Sequence, residues 1–120
     1  MKHKVSDLEG ALLDAAVAKA EGRELLDVAG KRAAATFVGS IASVFLEWAP
    51  STNWQHGGPI IDRERIGTHF DKSRDCWFAM LPRVPGDWSR PLVDAQGATP
   101  LIAAMRAYAA SKVGGEVELP

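Results

Sequence analysis

The fold class turns on the run LLDVAGKRAAATFVGSIASVFLEW, residues 25–48. Its central alanines, Ala33, Ala34 and Ala35, suit a helix. Thr36-Phe37-Val38 and the stretch from Ile41 to Trp48 are β-branched and aromatic, which suits strands. Gly30, Gly39 and Ser40 punctuate the run and argue against one continuous helix. The preferred expectation is a short strand near Leu25–Val28 and one or two strands between Thr36 and Trp48. A helix across Lys31–Leu46 stays open as the alternative.

Both flanks predict helices. Ser6-Asp7-Leu8-Glu9 has the spacing of a capping box, and Leu8, Leu12, Ala15, Ala16 and Lys19 follow at helical steps, so a helix is expected from about Asp7 to Glu21, stopped by Gly22. At the other end Thr99 is an N-cap candidate and Pro100 takes the favoured first helical position. Leu101, Ile102, Met105, Tyr108, Ala109 and Val113 form one stripe, and Gly114-Gly115 closes it. Glu116 to Leu119 alternates polar and apolar, as an edge strand would. Cys76 to Leu81 reads as a buried strand ended by Pro82, and residues 82–98, with Pro85, Gly86, Pro91 and Gly97, as a long loop anchored by Trp88. The expected fold is therefore α+β, a small antiparallel sheet packed with an N-terminal and a C-terminal helix in a single domain spanning 1–120.

Composition narrows the function classes. The 120 residues are 47% hydrophobic and 24% charged, which excludes a disordered chain. Fourteen basic residues against fifteen acidic ones leave a net charge of −1, so a binder resting on phosphate neutralisation is disfavoured. Arg63, Arg65, Lys72 and Arg74 are the residues such a binder would use, but Asp62, Glu64, Asp71 and Asp75 sit among them. The lone Cys76 excludes a disulfide framework and a Cys-rich zinc site, and fits a reducing compartment. No apolar run is long enough to span a membrane and no targeting segment stands out, so a cytoplasmic location without membrane association is expected. His3, His56 and His69 lack metal-ligand spacing, so neither a metal nor another cofactor is expected.

One segment stands apart. Residues 50–61, PSTNWQHGGPII, combine turn formers, amide side chains, a large aromatic and a Gly-Gly pair. Read as a loop, Asn53, Trp54, Gln55, His56, Gly57, Gly58 and Pro59 offer a binding surface with an aromatic anchor. The structural reading of the same residues has Ser51 or Asn53 capping a turn, Trp54 filling the core and the glycines allowing positive φ. A small-ligand or catalytic pocket is the alternative function. It would lie between this loop and the Trp77 strand, with Asn53, Gln55 and His56 as polar contacts and Asp62 or Glu64 as carboxylates.

Three pieces in this order carry a family resemblance. They are Val17-Ala18-Lys19-Ala20-Glu21-Gly22, then Pro50-Ser51-Thr52-Asn53-Trp54 with Gly57-Gly58-Pro59-Ile60-Ile61, then Thr99-Pro100-Leu101-Ile102-Ala103-Ala104-Met105-Arg106 continuing to Ala110-Ser111-Lys112. Together they resemble the phage NinX-like proteins, small proteins of phages and prophage-bearing bacteria. His56 stands where that pattern has a glutamine, and Leu25–Leu46 shows no clear match to it. The resemblance implies a phage-derived bacterial protein and carries no reaction or cofactor. With no catalytic constellation in the residues, the expected role is a non-enzymatic accessory module with a protein partner.

Overall fold

A computed structural model describes residues 1–38, 41–84 and 86–119; the side chains of Phe37, Val38, Ile41, Trp88 and Arg90 are also outside that description. The expected breaks at Gly39 and Ser40, the turn residue Pro85 and the Trp88 anchor therefore lie outside the described residues.

The deciding run forms strands. β2 (Glu24–Val28), β3 (Lys31–Val38) and β4 (Ile41–Phe45) pair as an antiparallel sheet in that order, with Leu26 opposite Ala33 and Ala35 opposite Val44. The helix across Lys31–Leu46 is overturned. Ala29 and Gly30, both at positive φ (53° and 81°), make the two-residue turn whose twist matches that of paired strands, so β2 folds directly onto β3. Leu25, Ala34 and Phe45 face the body of the molecule, and Leu26, Ala33, Ala35 and Val44 share the opposite face.

A second antiparallel sheet is ordered β5 (Gly67–Asp71), β6 (Cys76–Val84), β7 (Asp87–Gly97), and β1 (Lys2–Lys4) pairs with β8 (Glu116–Glu118). Three helices accompany them: α1 (Gly10–Ala20), α2 (Trp54–Glu64) and α3 (Pro100–Val113). The fold is α+β, as expected, but it is built on three small sheets. Tyr108, Met105 and Ala104 of α3 join Leu13 and Val17 of α1 and Leu81 of β6 in the buried core. Among the described residues, no helix is long and apolar enough to cross a membrane.

The caps of α3 form as the sequence indicates, with Thr99 Oγ1 accepting from Ile102 N at 3.1 Å and Pro100 in the first turn. Gly22 closes α1: Gly22 N donates to Lys19 O and Arg23 N to Ala18 O, satisfying two of the helix's last carbonyls. The terminal strand β8 also forms where alternation places it.

Other expectations are corrected. The Ser6–Glu9 capping box does not start α1, because Val5–Asp7 makes a separate 3-10 turn and the helix begins at Gly10. Burial of Val5 and Leu8 fixes that turn, and Arg106 Nε donates to Leu8 O at 2.8 Å, taking a carbonyl that a helix from Asp7 would use internally. Pro82 does not end β6; it pairs with Leu92 beyond the last β5 partner at Met80, where β6 has a strand on one side only. β6 is half-buried rather than buried, with Met80 39% exposed. The loop expected over 82–98 is largely the eleven-residue strand β7. As an edge strand, β7 can hold Pro91 without breaking a two-sided ladder.

Candidate functional site

The segment read as a loop over 50–61 is mostly helix. Asn53 Oδ1 accepts from Gln55 N at 2.9 Å and caps α2, which then runs through the Gly-Gly-Pro step to Glu64. A proline normally disfavours helical conformation at the residue before it by clashing with that residue's Cβ, and Gly58 has none. Asp62 to Glu64 form the last turn of this helix, and Arg65 ends it at φ 59°.

The seven candidate residues separate on this helix. Trp54 does not fill the core; it is 57% exposed. Gln55 and Pro59 are also exposed, Asn53 and Gly58 are half-buried, and Gly57 is buried. Gly57 is not at positive φ. Its missing side chain serves a close approach, because a Cβ there would lie 2.4 Å from Pro50 O and 2.7 Å from Leu101 Cδ2. That approach seats the start of α2 against the start of α3.

Where the two helices begin, a cleft of about 210 Å³ opens, lined by Ser51, Thr52, Trp54, Thr99, Pro100, Leu101 and Ile102. Its lining is mostly aliphatic and aromatic carbon, with the capping hydroxyl of Thr99 at the edge. The cleft beside the candidate segment is thus bounded by α3 and not by the Trp77 strand. Thr52, Pro100 and Ile102 were not legible as site residues. The only sequence signal there was the Thr99-Pro100 helix start, and nothing local connects it to Trp54.

His56 turns inward. Its ring stacks on Trp48 (centroids 5.5 Å apart, planes 15°) and meets Phe45 edge-on, with the Arg23 guanidinium over the Phe45 ring. His56 Nδ1 accepts from Ala49 N at 3.0 Å, and burial holds its pKa below the ordinary histidine value, against the pull of Asp14. Asp14 Oδ1 accepts from Ser51 N at 2.9 Å, and Asp14 O accepts from the Trp48 indole at the same distance. Burial raises the Asp14 carboxyl above its ordinary range. The Ser51 N–H favours the charged form of Asp14, and the Ser51 hydroxyl is buried with no hydrogen-bond partner among the described residues. A serine, an aspartate and a histidine are therefore neighbours here without the hydrogen-bonded chain that nucleophilic catalysis uses. The group locks Ala49–Ser51 onto α1 and so fixes the platform from which α2 starts.

The carboxylates considered for catalysis lie elsewhere. Glu64 is buried and accepts from Arg63 Nε at 2.8 Å, while Arg63 also grips Glu21 through Nη2 at 2.7 Å. The Tyr108 hydroxyl donates to the same Glu21 oxygen. Burial opposes the Arg63 charge, but Glu64 and Glu21 together more than offset this and raise its pKa. Burial, then Glu21, raises the Tyr108 pKa. This cluster ties α1, α2 and α3 together at the far end of α2 from the cleft.

A second cleft, about 530 Å³, lies between the Val5–Asp7 turn and the β7 side of the second sheet, and includes Asp7, Arg74, Phe78, Asp94, Gln96 and Arg106. Arg106 Nη1 donates to Gln96 O at 2.8 Å, so this guanidinium also braces the sheet. Among the described residues, no three His, Cys, Asp or Glu side chains gather as metal ligands.

The family model described as Bacteriophage P22, NinX matches residues 4–112 of the chain. No curated protein is significantly similar to it.

Proposed function

Since the chain belongs to the bacteriophage P22 NinX family, we propose that it is a phage accessory protein acting as a non-enzymatic protein-binding module through the cleft between the starts of α2 and α3. The observation that carries this reading is Trp54, 57% exposed at the rim of an apolar cleft floored by Pro100, Leu101 and Ile102. A large aromatic kept in water beside a pocket is the usual form of an interface anchor. Asn53 and Gly57 support the anchor from behind, one by starting the helix and the other by letting it sit close to α3. The partner's apolar side chain enters the cleft beside the indole, while the exposed Gln55 and Pro59 lie outside its lining.

The test is affinity capture from host lysate with wild type and Trp54→Ala, each checked for cooperative thermal unfolding, followed by titration of the captured protein. Trp54 is exposed, so its loss leaves stability within about 0.5 kcal/mol. A partner is expected that binds wild type and weakens by about 30-fold or more in the variant, the size of a hot-spot contact. Identical captures with both proteins refute the proposal.

A further inference from the structure

The sheet β2-β3-β4 carries apolar side chains on both faces. Its inner face, with Leu25, Ala34 and Phe45, packs on the core. Antiparallel sheets that end in water normally alternate to polar residues on the outer side. Here the outer face carries Leu26 (38% exposed), Val28 (42%) and Val44 (46%) around Ala33 and Ala35, which are themselves fully buried, and Leu46 (60%) lies just past the end of β4. Exposed apolar side chains gathered in this way on one face of a sheet mark an interface.

The charges on the same face point to what covers it. Glu24, opposite Ala35, stands at one end, and Lys31, opposite Val28, at the other, on the neighbouring strand. A two-fold axis lying in the interface and crossing the strands exchanges those ends. It brings each Lys31 beside the Glu24 of a second copy, twice over, around a shared apolar centre. Stacked sheets sit about 10 Å apart, within reach of a lysine and a glutamate extended toward each other. An isologous interface requires this self-complementarity, in which residue i meets j and j meets i. Lys31 also contacts Glu47 within its own chain at 2.6 Å, with both side chains about two-thirds exposed, so the pair lies at the rim and can join an intermolecular cluster.

We propose that the protein is a homodimer formed by face-to-face stacking of β2-β3-β4, an interface separate from the Trp54 cleft. Sedimentation velocity and light scattering on the full chain test it. Wild type is expected at twice the 12.9 kDa chain mass at micromolar concentration. Val44→Lys changes an exposed side chain, so it stays folded by circular dichroism and becomes monomeric. Glu24→Lys weakens the dimer tenfold or more, and Glu24→Lys combined with Lys31→Glu and Glu47→Lys recovers most of the loss, because the symmetric pairs and the Lys31–Glu47 contact within each chain are all restored with reversed sign. A monomeric wild type, a dimer indifferent to Val44→Lys, or a triple variant no tighter than Glu24→Lys overturns the proposal.

Discussion

Placing a methyl group on Gly57 tests whether α2 is pressed against its neighbours as tightly as the candidate cleft requires. The added Cβ would meet Pro50 O at 2.4 Å and Leu101 Cδ2 at 2.7 Å. Leu101 can rotate away, but the Pro50 carbonyl belongs to a backbone held by the Ser51–Asp14 hydrogen bond. In an open helix interior, alanine in place of glycine gains about 1 kcal/mol. Overpacking of this kind costs roughly 1–3 kcal/mol, and a backbone obstacle pushes it to the upper end. Gly57→Ala is therefore expected to lose about 1–2 kcal/mol, a fall of roughly 4–8 °C in Tm. Gly115→Ala is the control: its Cβ meets nothing within 4 Å and its φ is not positive, so it should be neutral or gain up to about 1 kcal/mol. Thermal and urea unfolding of both variants decide the matter. A Gly57→Ala protein as stable as wild type would mean that α2 stands off from Pro50 and α3, and the cleft would lose its geometry.

Three further outcomes follow from the buried and half-buried polar groups. Burial raises the Asp14 carboxyl above its ordinary 3.8, so its stabilising contribution is full below that value and is lost as pH rises through the native pKa. Asp14→Asn, which keeps an oxygen for Ser51 N, should gain stability relative to wild type between about pH 4 and pH 7, read as Tm against pH. His56 runs the other way: its lowered pKa gives stability above 6.5 that is lost on acidification, when Nδ1 can no longer accept from Ala49 N, so His56→Gln should show a shallower fall in Tm from about pH 7 to pH 5. Tyr108→Phe removes the hydroxyl that donates to Glu21 and should cost about 1–3 kcal/mol in urea unfolding; an unchanged midpoint would show that the cluster with Arg63 does not need it.

Elements whose signals are local were legible in the chain alone. Thr99-Pro100 and Gly114 bound α3, Gly22 stops α1, and the β-branched run after Ala35 makes strands, because caps, proline and glycine act through bonds within a few residues. The family resemblance was legible in the same way, from three short motifs. Tertiary structure decided the rest. It moved the start of α1 to Gly10 through burial of Leu8 and the Arg106 bond to its carbonyl. It turned the Gly-Gly-Pro stretch from an expected loop into helix by closing Gly57 onto Pro50 and Leu101, and it allowed a proline-containing stretch to be the edge strand β7. The candidate site divides along the same line. Asn53 and Trp54 stood out because their residue types are unusual in context, but the exposure of Trp54 and its pairing with Pro100 and Ile102 depend on two helix starts that lie more than forty residues apart in the chain. Long-range packing sets which side of a helix meets water, and no local pattern around Trp54 records it.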